Sequence, residues 1–368
     1  MLYNTVMPMH GVKQFIATHK EHFLTVSFFF GFIIDNFTLN RVDQLFDNFL
    51  LSSYVTLAMF SLVLLYTASA GKFPETWNTT IREYSPLLTQ YAFGSLFSGM
   101  LIFYGRSGSW LVSWPFFLII LLVIYGNETI KDRVQRLLYN LGMLFIGLFS
   151  YVVLIVPVLL GEMSAVVFVG SGILALIIML TFVRVLTAVV PRFISLHQRS
   201  IIFLIGVIFA GFNFLYFANL IPPIPLSLKD IGVFHSVVRF EDGSYQLSYE
   251  KGKWWQFYRK SDDVYHPSSV GNIFCFAKVF APTTIDIDIY HTWDYYDEVQ
   301  GKWVEHARVS YPILGGGDGG YRGYTLIKNY RDGKWRCSVE TQRGQVLGRE
   351  TFTVDSSSDP AELTTRRE

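Results

Sequence analysis

The feature that most constrains this chain is a ladder of apolar stretches across its first ~220 residues, each about 18 to 24 residues long and separated by short polar connections. A stretch of that length matches the ~20 residues a helix needs to cross the hydrocarbon core of a bilayer, where only a helix or a closed barrel satisfies its own backbone hydrogen bonds. The sequence therefore predicts an integral membrane protein with a soluble C-terminal domain. Its lipid partner follows directly from that pattern.

Seven spans are expected, at roughly 22–39, 48–69, 87–104, 109–126, 138–160, 164–183 and 200–221. The pair around Gly105-Arg106-Ser107-Gly108 reads as a tight helical hairpin, since Gly, Ser and Trp110 mark a chain reversal at the membrane interface. With the N-terminus in the cytoplasm, ten Lys and Arg residues fall in inside segments against Arg41 and Arg106 outside. That asymmetry obeys the positive-inside rule, and an odd number of spans then puts the C-terminal domain on the extracytoplasmic side. Residues 1–21 lack the pattern of a removable signal peptide, so the first span is expected to stay as a signal anchor.

The mean hydropathy is +0.34, and the 16% of residues that are charged crowd after Lys229. A net charge of +1 with no basic stripe argues against a nucleic-acid partner. Residues 1–221 thus form a helical membrane domain. The segment Ile221-Pro222-Pro223-Ile224-Pro225 cannot continue a helix, and 222–230 reads as a Pro-rich linker. From 231 to 354 the periodicity becomes alternating, with strand-like runs at 245–249, 253–258, 272–280, 285–293, 303–311, 324–330, 335–340 and 346–354. Turn dipeptides such as Asp242-Gly243 and Asp332-Gly333 separate them. These runs predict a small antiparallel all-β sandwich, immunoglobulin-like in the loose architectural sense. The polar tail 355–368 has no apolar period and is expected to be disordered.

Only two cysteines occur, Cys275 and Cys337, both in strand-like runs. On an oxidising side they can form one disulfide; two buried free thiols in a β core are the alternative.

Several motifs in the last third carry a resemblance. Tyr290-His291-Thr292-Trp293, then Gly315 to Tyr324, then Gly333-Lys334-Trp335-Arg336-Cys337, then Gly344 to Val354 with its Gly348-x-x-x-Phe352-x-Val354 ending resemble the bacterial family named domain of unknown function 2914. The likeness covers roughly 285–354. It implies an architecture, often behind membrane helices, and a Gram-negative type of envelope; combined with the topology above, that setting puts the chain in the inner membrane with its C-terminal domain in the periplasm. It implies no activity.

Candidate chemistry is sparse. The Gly315–Gly323 stretch lacks the Lys-Ser/Thr of a nucleotide loop and reads as a strand connection, and Asp318 within it is a single acid without the tandem copies of a calcium repeat. His291, Asp294, Glu305, His306 and Asp318 have no metal-ligand or catalytic spacing, so neither a cofactor nor a metal is implied. His291 shares a strand face with Trp293 and reads as a satisfied core residue. The aromatic surplus of Trp254, Trp255, Tyr295, Tyr296 and Trp303, with Asp318 and Arg322, is the candidate binding surface; adjacent Trp254 and Trp255 must face opposite ways on a strand. In the membrane part, Asp35, Asn36 and Arg41 form a polar group near the outer end of the first span, read as local pairing.

The reading that follows is a non-enzymatic envelope protein that presents a periplasmic β-sandwich to a glycan or to a partner protein. A small-solute transporter or channel using Asp35, and an envelope hydrolase or transferase, are the alternatives.

Overall fold

A computed structural model describes residues 20–39, 43–129, 133–252, 255, 260–267, 271–282, 285–314 and 319–368. Trp254, Asp318, Arg41 and most of the 253–258 run expected as a strand lie outside the described residues. The chain divides into two compact units, one of residues 1–102, 117–156 and 168–214, the other of 103–116, 157–167 and 215–368.

The helices are α1 (Lys20–Thr38), α2 (Leu45–Ser69), α3 (Glu75–Ser107), α4 (Trp110–Thr129), α5 (Arg133–Leu160), α6 (Ala165–Val189), the short α7 (Pro191–Leu196) and α8 (Gln198–Phe217). Among the described residues, five helical stretches are long and apolar enough to cross a membrane: Leu45–Ser69, Glu75–Ser107, Arg136–Leu160, Ala165–Val189 and Gln198–Phe217. Phe29–Thr38 and Val112–Gly126 are shorter apolar helices. Large apolar side chains such as Phe203, Phe214, Ile177 and Leu122 are exposed on these helices, which is compatible with insertion in a membrane. Inside the first unit, small residues let helices approach: a Cβ on Gly147 of α5 would run into the side chain of Leu96 on α3.

The second unit is β-rich. Its strands are β1 (Ser227–Phe234), β2 (Ser236–Arg239), β3 (Tyr245–Glu250), β4 (Val264–Tyr265), β5 (Ile273–Phe280), β6 (Asp286–Asp297), β7 (Lys302–Leu314), β8 (Tyr321–Ile327), β9 (Gly333–Thr341), β10 (Val346–Val354) and β11 (Leu363–Arg367). They form three sheets, ordered β4-β10-β9-β6-β7, β1-β5-β8 and β11-β3-β2. Every pairing is antiparallel except the short β4–β10 pair. Val233, Ile273, Cys275 and Ile327 of the three-stranded sheet pack against Trp293, Trp335, Cys337 and Phe352 of the five-stranded one. Alternation sends the other side of β5 the opposite way, where Phe276 and Phe234 of this sheet meet Val237, Tyr245 and Leu247 of the third. The domain is thus three sheet layers rather than the two of a simple sandwich.

Two boundaries expected from the sequence are corrected. The 222–230 segment, expected as a Pro-rich linker, is built into the β domain: Ile221 through Ser227 are buried, Leu226 joins the core, and β1 begins at Ser227. A Cβ on Gly108 would meet Pro222 at 2.8 Å, so the α3–α4 turn and the Pro cluster touch. The tail is not disordered. Leu363–Arg367 pairs with β3, with Arg366 held by Asp230 and Arg367 by Asp242. An open sheet edge and two complementary acids order a segment that has no apolar period of its own.

Candidate functional site

Along β6, His291, Trp293 and Tyr295 turn toward the core, while Tyr290, Thr292, Asp294 and Tyr296 turn away from it. Register aligns these outward residues with neighbours across the sheet: Tyr290 with Ser310 and Glu340, Thr292 with Arg308 and Ser338, Asp294 with Glu305 and Arg336, and Tyr296 with Trp303. β10 adds Arg349 opposite Ser338. A bulge between Trp293 and Asp294 re-aims the β6–β7 pairing, which brings Trp303 level with Tyr296.

This outward face combines aromatic rings with hydrogen-bonding charges. The Trp303 and Tyr296 rings meet edge to face with centroids 5.3 Å apart. Arg336 Nε donates to Asp294 Oδ2 at 2.7 Å, and its guanidinium lies 4.5 Å from the Trp303 ring centroid. Arg308 stacks on Tyr290 at 4.5 Å. The Thr292 hydroxyl donates to Glu340 at 3.1 Å, and Arg349 Nε donates to Ser338 Oγ at 3.2 Å. Burial pushes the Glu340 carboxyl above its ordinary range against the pull of Thr292, Arg308 and Arg349. Burial, then the neighbouring Arg336 charge, lowers Arg349.

The candidates from the sequence separate. Tyr296 and Trp303 share this face. Tyr295 is on the opposite side of β6, packed on Trp335 with Arg331 3.7 Å from its ring centroid. Trp255 lies in a turn, half exposed at 51%. Arg322 is on β8 opposite Lys278, on the face of the β1-β5-β8 sheet that carries Phe276. Local alternation singles out Tyr296 and Trp303, but Arg308, Arg336, Arg349 and Glu340 come from register, which no single strand encodes.

Within the core, the Cys275 and Cys337 sulfurs are bonded. Beside them His291 is completely buried, its Nδ1 3.0 Å from Thr325 Oγ1 and its Nε2 3.0 Å from the Tyr311 hydroxyl. Trp293 Nε1 donates to the same Thr325 oxygen. A neutral imidazole satisfies this chain, and burial pushes its pKa down to about 3. His291 and Asp294 therefore occupy opposite faces of β6 and do not converge as an acid/base pair.

In the helical unit, Asp35 is buried and accepts a hydrogen bond from the Tyr54 hydroxyl at 2.6 Å. Asn36, next along α1, is exposed.

Residues 286–354 match the family model described as protein of unknown function, DUF2914. The DUF2914 match runs from the first residue of β6 to the last of β10 and so contains the whole outward face. No curated protein matches the chain. Among solved structures, the alkylpurine DNA glycosylase AlkC of Pseudomonas fluorescens, bound to DNA containing an abasic site analog, aligns at 12% identity over 86% of this chain and 100% of that one. Its TM-score of 0.22 is too low for a shared fold.

Proposed function

We propose that this chain is a seven-span protein of a bacterial inner membrane, with its N-terminus in the cytoplasm and its β domain in the periplasm, and that the outward face of the DUF2914 region binds a glycan. The Trp303–Tyr296 pair beside the Asp294–Arg336 pair carries the reading. A flat ring stacks on the apolar face of a sugar, while the Arg336 guanidinium, fixed by the Asp294 beneath it, hydrogen-bonds its hydroxyls.

One observation supports an extracytoplasmic β domain: the disulfide fits an oxidising compartment.

The binding reading is tested with the full chain in detergent against an array of envelope oligosaccharides. Binding that Trp303→Ala abolishes without lowering the unfolding temperature supports it. Capture of a membrane protein through the same face, with no glycan bound, would replace the glycan by a protein partner.

A second reading, transport of a small solute, draws on the buried Asp35–Tyr54 pair, since an ionisable group at membrane depth is a functional candidate. Proteoliposome uptake lost in Asp35→Asn would favour it.

A further inference from the structure

Outside the DUF2914 match, four segments of the β domain bring two imidazoles and two carboxylates together. His235 sits between β1 and β2, Glu250 ends β3, Asp262 precedes β4 and His266 follows it. Glu250 is 3% exposed and Asp262 0%. His235 Nε2 lies 3.2 Å from Glu250 Oε1 and 3.6 Å from Asp262 Oδ2. One ligand atom from each of these three residues falls within 4.8 Å of the others. His266 Nδ1 lies 2.9 Å from both Glu250 oxygens, and its Nε2 is 3.9 Å from Asp355.

The spacing suits a cation. Two ligand atoms at about 2.1 Å from a tetrahedral zinc ion are about 3.4 Å apart, and the pairs here bracket that distance. The charge also suits one, because a divalent ion neutralises two carboxylates and leaves an imidazole nitrogen free to coordinate. The surroundings are those of held ligands: Asp262 Oδ1 accepts from the Glu250 backbone N–H at 2.7 Å, and His235 stacks on Tyr265 with ring centroids 4.3 Å apart.

The geometry points to a structural zinc-class metal site formed by His235, Glu250 and Asp262, with His266 holding the Glu250 carboxylate in place. Imidazole nitrogen with carboxylate oxygen favours zinc among the common divalent ions over calcium or magnesium, which prefer all-oxygen shells. Its depth marks it as a structural site that ties the third sheet to the segment before β4. It is independent of the glycan face.

The test uses full-length protein without a His tag, purified in detergent without reductant so that the disulfide stays closed. After stripping with a chelator, it is titrated with zinc ion alone, and bound metal is measured by elemental analysis after desalting. The expected result is one zinc per chain and an unfolding temperature of the β domain that rises with zinc. His235→Gln and Asp262→Asn, checked for retained β structure by circular dichroism, should bind at least ~100-fold more weakly, beyond the usual cost of losing an outer partner. Wild-type protein that retains no zinc and shows no shift overturns the site. Zinc retained equally by both folded variants overturns it as well. Should the variants fail to fold, the wild-type titration decides alone.

Discussion

Cys275 on β5 and Cys337 on β9 join the two facing sheets through the middle of the core, with Cα atoms 6.5 Å apart. The bond closes a loop across a sequence separation of 62, which in the chain-entropy account stabilises the fold by about 4 kcal/mol. Replacing both cysteines by Ala should therefore lower the unfolding free energy of the β domain by about 2–4 kcal/mol in denaturant titration. An unchanged midpoint would show that the bridge contributes nothing.

Arg336 covers Asp294, whose side chain is only 9% exposed. Removing the guanidinium leaves a nearly buried carboxylate without its strongest partner, so Arg336→Ala should cost about 1–3 kcal/mol. The double change Asp294→Asn with Arg336→Ala should cost less than Arg336→Ala alone. Additive losses in that cycle would mean the two groups do not interact.

His291 makes the β domain sensitive to acid. Unfolded, the ring takes up a proton near its ordinary pKa of 6.5; folded, burial holds it to about 3. Unfolding thus takes up a proton between those values, and this group's contribution to stability is complete above 6.5 and falls below it, by about 1.4 kcal/mol per pH unit. Glu340 and Glu350, both raised by burial, act in the opposite direction as pH falls. Comparing wild type with His291→Gln at pH 7.5 and 5.5 isolates the histidine. The wild type should lose about 1.4 kcal/mol more than the variant over that interval; equal losses would refute the assignment.

Gly323 on β8 faces the ring of Tyr311, and an added Cβ would overlap that ring. Tyr311 also holds His291. Gly323→Ala should cost about 1–3 kcal/mol by overpacking, and paired with Tyr311→Phe it should cost nearly the same, since the ring and not the hydroxyl is in the way. A neutral Gly323→Ala would show that β7 shifts freely.

Much of this was legible from local pattern. β5 and β10 match the alternating runs 272–280 and 346–354 closely. β1 was hidden because the Pro cluster before it suggested a linker, and β11 because Thr364, Thr365, Arg366 and Arg367 carry no apolar period; both are ordered by partners distant in sequence. The same limit applies to the sites. Tyr296 and Trp303 could be read from their own strands, but Tyr295 goes with the core by simple alternation. The Arg residues around Trp303, and the His235, Glu250, Asp262 and His266 group, are assembled by pairing between strands and leave no spacing motif.

Binding of an envelope glycan requires the β domain to lie on the extracytoplasmic side of the membrane. Alkaline phosphatase and a fluorescent protein that matures only in the cytoplasm, each fused after Pro225, measure this directly. Seven spans with an inside N-terminus predict an active phosphatase and a dark fluorophore. A bright fluorophore with inactive phosphatase would contradict it, placing the DUF2914 face in the cytoplasm, away from any envelope glycan.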